Sequence, residues 1–158
     1  MTLARVLVAS VLAALAPHAA AQGKPAEPSC TAGPYRLKLP KSYKALRAIG
    51  QLRRERVVKT EDSGVQRELR FNGLELVVLT SPDKPGEYAV SRAVVSAPSW
   101  KIAGPLRVGT SARTALKGLQ PKALPSEGEL EFTGETDSIR VTLSRGRVLD
   151  FEYSCSTG

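Results

Sequence analysis

Apolar and polar positions alternate over much of this chain, and the alternation has mostly a period of two. Tyr35, Leu37 and Leu39 are separated by Arg36 and Lys38, which predicts a strand ended by Pro40. Ser42 is placed to cap a short helix running to Ile49. Tyr43, Leu46 and Ile49 share one face of it, and Gly50 stops it. A strand is predicted over 53–60, and residues 61–64 (Glu-Asp-Ser-Gly) form a turn. Val65, Arg67, Leu69 and Phe71 fall on one side of the next strand, which Asn72-Gly73 breaks. Residues 74–80 are apolar on both faces and predict a central strand. The loop 81–86 carries two prolines, and a strand over 88–96 follows it.

The pattern then starts again. Ala103-Gly104-Pro105-Leu106-Arg107-Val108 echoes Ala32-Gly33-Pro34-Tyr35-Arg36-Leu37. Ala115-Leu116-Lys117-Gly118-Leu119 echoes Ala45-Leu46-Arg47-Ala48-Ile49, and Glu129-Leu130-Glu131-Phe132-Thr133-Gly134 echoes Glu68-Leu69-Arg70-Phe71-Asn72-Gly73. Ile139, Val141 and Leu143 alternate with Arg140, Thr142 and Ser144. Arg145-Gly146 turns the chain, and Leu149, Phe151 and Tyr153 form a last apolar row opposite Asp150 and Glu152. The expected class is α+β: an antiparallel sheet with short helices packed on one face. The echoes fit a tandem duplication of a helix-plus-three-strand unit, with copies at 32–102 and 103–158. The competing reading is one unduplicated domain whose amphipathic strands look alike.

Composition changes the picture at the N-terminus. Arg5, an apolar run over 6–16, Pro17 and Ala19-Ala20-Ala21 read as a cleaved export signal over 1–21. The run is too short for a transmembrane span. The mature protein of about 137 residues suits one domain, 32–158, preceded by a flexible segment at 22–31. Cleavage near Ala21 sends it to the periplasm or the medium. It also removes the only histidine, His18, so Ser-His-Asp and Cys-His mechanisms and His-ligated metal sites are excluded. Cys30 and Cys155 lie near the two ends of the mature chain. Their even number in an exported protein predicts a disulfide, not a redox pair.

The formal net charge is +8, unevenly spread. Residues 22–122 hold 19 Lys/Arg against 8 Asp/Glu, whereas residues 123–158 hold 3 against 7. Arg53, Arg54, Arg56 and Lys59 form the densest basic cluster. They are candidates for an anionic envelope lipid or polysaccharide, or simply a solvated strand. Nucleic acid is a poor match, because basic and aromatic residues do not interleave.

The segment Gly104-Pro105-Leu106-Arg107-Val108-Gly109-Thr110-Ser111, with Ala115, Leu116 and Leu119, is similar to the turn and short helix that open the units of β-lactamase-inhibitory proteins. It also resembles outer-membrane assembly lipoproteins of the SmpA/OmlA type. Gln120-Pro121 stands where those helices usually end in Leu-Gly, and the lipid-anchor cysteine is missing. The resemblance implies a protein that works by presenting a surface. On this reading the chain is an exported, non-catalytic protein-binding or inhibitory module of the envelope, with an unknown envelope or secreted protein as partner. Tyr88, Arg92, Trp100, Arg140 and Glu152 are its candidate contacts. Trp100 reads either as an anchor between the two copies or as an exposed hot spot. A small carboxylate-based hydrolase using Glu129 and Glu131, or Asp150 and Glu152, is the remaining alternative. Ser81-Pro82-Asp83-Lys84 has Ser-Lys spacing, but its prolines place it in a loop. No cofactor or metal is expected.

Overall fold

A computed structural model describes residues 23–61 and 64–157. The expected signal over 1–21 lies outside the described residues. Seven strands form one open, wholly antiparallel sheet: β1 (Arg54–Glu61), β2 (Gly64–Phe71), β3 (Leu74–Thr80), β4 (Ala89–Val95), β5 (Gly128–Thr133), β6 (Ser138–Ser144) and β7 (Arg147–Ser154). Their spatial order is β1-β2-β3-β4-β7-β6-β5. The first four strands form a meander, and the last strand in sequence enters the middle of the sheet. There β7 pairs with β4 on one side and β6 on the other. The broad α+β expectation holds, although the helices are shorter than the periodicity suggests. Helix α1 (Tyr43–Leu46) and helix α2 (Ala112–Ala115) are single turns. Ser42 and Ser111 cap them by accepting from the amides of Ala45 and Thr114.

Alternation sends one side chain set of each strand toward the helices and the other into solvent. The centre of the helix face is apolar. Leu69, Leu76, Val78, Ala93, Val95, Ile139, Val141, Phe151 and Tyr153 are fully buried there with Leu46, Leu106, Ala115 and Leu116. Tyr35 lies at the centre of this layer. Its hydroxyl donates to the Ala115 carbonyl at 3.0 Å and accepts from the Gly118 amide at 3.1 Å. The Tyr153 hydroxyl donates to the Tyr35 carbonyl. Residues 35–39, expected as a strand, belong to no ladder. Burying Tyr35 under the sheet commits this stretch to separate bonds, Leu37 N–H to Cys30 O and Lys38 N–H to Ile102 O.

The two Gly-Pro segments that echo each other in sequence also meet in space. Gly104 has φ 60°, and a Cβ there would collide with the Pro34 carbonyl, so both the left-handed turn and the close approach require glycine. At the end of the second helical segment, the left-handed position usually taken by glycine is filled by Gln120 (φ 47°). Its side chain donates to the Gly23 carbonyl at 2.7 Å. This contact belongs to a strap. Of the segment 22–31, expected as flexible, the described residues 23–31 are tied to the domain there, by Ala26 N–H to Gly118 O, and by Cys30.

Cys30 and Cys155 form a disulfide with Cα atoms 5.9 Å apart. Asp137, buried in the β5–β6 turn, reinforces it. One carboxylate oxygen accepts from the Cys30 amide at 2.8 Å and the other from the Ser156 amide at 2.9 Å. A covalent bond and an anion with two amide donors therefore fasten the same two chain segments.

Candidate functional site

The second face of the sheet carries no helix, and its side chains form an ordered array of charge. Register gives one rung across all seven strands: Arg54, Arg70, Glu75, Val94, Glu152, Arg140 and Glu131, from β1 to β5. The adjacent rung begins Arg56, Glu68, Val77 and Arg92. Ion pairs run along and between the rungs. Arg56 meets Glu68 at 2.8 Å; Arg70 meets Glu68 at 2.6 Å and Glu75 at 3.3 Å. Arg92 reaches Glu75 at 3.3 Å and holds Glu152 through two bonds of 2.9 and 3.0 Å. Opposite charges on neighbouring strands favour this packing, and the planar guanidinium fork matches the Glu152 carboxylate. The hydrogen bond from Arg56 lowers the Glu68 carboxyl below its ordinary range despite burial. The bond from Arg92 does the same for Glu152. Both are held as carboxylates, the state opposite to that needed for a general acid.

Three of the five expected partner contacts, Arg92, Arg140 and Glu152, are brought together on this face. The other two lie on the helix side and are engaged in packing. The Tyr88 hydroxyl donates to the Pro40 carbonyl, and its ring lies 6.4 Å from Tyr43. Burial pushes its phenol up to about 12. Trp100 meets Phe71 edge-on at 5.7 Å and donates its indole N–H to the Asn72 carbonyl at 2.8 Å. It therefore pins the Asn72-Gly73 turn to the core.

The basic cluster divides between the faces. Glu55 pairs with buried Leu69 and points to the helix side, where it accepts from the Tyr43 hydroxyl at 2.7 Å and meets Arg47 at 2.8 Å. Alternation puts Arg53 on that side too. Arg54 and Arg56 lie on the open face. A β-bulge between Val57 and Lys59 shifts the count by one and brings Lys59, opposite Gln66, onto the open face with them. A second bulge, between Thr142 and Leu143, corrects the last apolar row. Leu149 is 53% exposed, and Val148 takes the buried place expected for it.

Glu68, Arg70 and Glu75 hold the centre of the array but were absent from the sequence-derived contacts. Their signal was the polar row Gln66, Glu68, Arg70, which is the complement of the apolar row already noted. Among the described residues, no group of three or more His, Cys, Asp or Glu is arranged to hold a metal ion. No helix among them is long and apolar enough to cross a membrane. No family model, curated protein or solved structure matches this chain.

Proposed function

We propose that the protein is an exported, non-catalytic binding module that docks a protein of the cell envelope on the open face of its sheet. The observation that carries this reading is the charged array, which spans seven strands on the face that no helix covers, with Glu68 buried at its centre. The more exposed pairs, such as Arg92 with Glu152, contribute little stability, about 0–1 kcal/mol each, so folding alone gives weak reason for their order. An array held in place before binding reduces the entropy lost at an interface and rejects partners of the wrong charge pattern. The resemblance drawn from residues 104–119 points the same way, toward a protein that presents a surface. The hydrolase alternative has less support, because Glu152 is bound on both oxygens by Arg92 and stays ionised.

A second reading draws on the bulge that aligns Arg54, Arg56 and Lys59: an anionic lipid or polysaccharide held at the β1 edge. One experiment separates the two. Immobilised oxidised protein is exposed to envelope extract and washed at low and high salt. Wild type is compared with Arg140→Glu on the open face and Lys101→Glu outside the array. A protein retained in high salt by wild type and Lys101→Glu, but not by Arg140→Glu, supports docking on the face. Lipid or polysaccharide retained only at low salt supports the second reading. Retention of nothing overturns both.

A further inference from the structure

We propose that strand β1 is a receiving edge, and that an extended acidic segment of the partner adds to it as an eighth strand. The proposal rests on the binding-module reading and names the partner's chemistry. Three observations converge on this edge. No hydrogen bond among the described residues pairs the outer backbone of Arg54–Glu61. This strand is eight residues long and carries Val57 and Val58, 52% and 49% exposed. The bulge puts Arg54, Arg56 and Lys59 in one line on the open face. Arg54 stands directly opposite Arg70 and makes no ion pair among the described residues. Like charges facing across a ladder are unfavourable, and an incoming acidic residue relieves them.

The opposite edge differs. Strand β5 carries exposed Glu129 and Glu131, and the strap of residues 24–28 lies beside its end at Phe132 and Thr133. The two edges therefore select different partners, and β1 selects acidic ones. Charge and bulges also serve to keep edges apart. Here, however, three cations stand against Glu55 and Glu61, with Glu55 engaged by Tyr43 and Arg47 on the helix side, so the edge keeps a net positive charge beside two exposed valines and favours an acidic strand over a second β1. A lipid headgroup or polysaccharide would satisfy the cations alone. A peptide strand meets Arg54, the exposed valines and the unpaired backbone together. Acidic residues two apart in an extended peptide repeat at about 7 Å, the spacing of alternate residues along β1.

The test uses full-length oxidised protein and a synthetic peptide alternating Glu with Val or Leu. Its controls are a Lys-for-Glu version and a version N-methylated on the amides of one edge. The acidic peptide is expected to bind and to protect β1 amides from hydrogen exchange. Affinity is expected to fall about tenfold or more in the Arg54→Glu/Arg56→Glu variant, in the Lys peptide and in the N-methylated peptide. Circular dichroism and thermal melting of the variant show that it is folded. Equal binding of the N-methylated peptide overturns strand addition, and equal binding of the Lys peptide overturns the charge argument. Binding of a sulfated polysaccharide but not the peptide overturns the proposal in favour of a polymer site. Self-association of wild type that the double variant abolishes makes the occupant a second copy, which also overturns it. If the double variant still retains an envelope protein while the peptide fails, the edge proposal falls and the binding module stands.

Discussion

The two faces of this sheet come from the same strands and the same alternation, yet they serve opposite ends. On the helix face, Leu69, Leu76, Val141, Phe151 and Tyr153 are removed from water almost completely. On the open face, the residues between them keep their charges and pair them across strands. Burial of an aliphatic or aromatic side chain contributes about 1.5–3 kcal/mol, whereas an exposed ion pair contributes about 0–1 kcal/mol. Stability is thus concentrated on one face, which leaves the other open to selection for recognition.

Substitutions can sharpen or break that contrast. The largest loss is expected from Phe151→Ala, about 3–5 kcal/mol in denaturant unfolding, because the ring is fully enclosed and its neighbours cannot fill the space. A loss below 1 kcal/mol would break the division between the faces. Replacing both Cys30 and Cys155 with Ser is expected to cost about 2–5 kcal/mol, read against the oxidised wild type. Asp137→Ala leaves two amides without their acceptor and is expected to cost about 1–3 kcal/mol with the disulfide intact. On the open face, a double-mutant cycle of Arg92→Ala and Glu152→Gln is expected to give a coupling of about 1 kcal/mol or less. A coupling above 3 kcal/mol would make that face a second source of stability.

pH separates the faces in opposite directions. All four tyrosines are held neutral by burial on the helix side, with Tyr43 and Tyr88 raised to about 12. A raised phenol contributes stability that is complete below its unfolded value, near 10. That stability is lost as pH climbs from there through about 12. Tyrosinate absorbance is expected to rise together with unfolding instead of ahead of it. The lowered Glu68 and Glu152 contribute above the ordinary carboxylate range, and this contribution fades as pH falls through their folded values. Melting at moderate acidity is expected to show only a small loss from these two groups.

Much of the helix face was legible because a buried row declares itself as every second residue. Val65–Phe71 and Ile139–Leu143 followed the count, Leu74–Thr80 is an inner strand that alternates although it reads as apolar on both faces, and the break or bulge expected at Asn72-Gly73 is the turn between β2 and β3. The count failed at the bulges. Lys59 lies past the inserted Val58, whereas Leu149 is itself the inserted residue of its strand, and nothing local in the sequence announces either insertion. Residues 35–39 alternate like a strand but pack beneath the sheet, since periodicity reports a buried side and not what pairs with the backbone. The charged array was half legible. Its residues could be assigned to a face, but the rung that aligns Arg54 with Glu131 needs the strand order, which depends on a contact between β4 and β7 far apart in sequence.

That β4–β7 contact has a consequence in time. During synthesis, β1 through β4 emerge as a meander whose hairpins can zip locally, but the inner edge of β4 has no partner until Arg147–Ser154 has left the ribosome. Of the seven strands, the one that completes the centre of the sheet is the last to be made. A chain halted before that point therefore displays an open edge at Ala89–Val95 and an uncovered Phe71–Leu76 surface, the kind of surface a chaperone holds. Docking of β7 against β4 also sets Cys155 beside Cys30, with the Cys155 amide bonded to the Ser91 carbonyl, so the strand that completes the sheet and the disulfide hold one another in place.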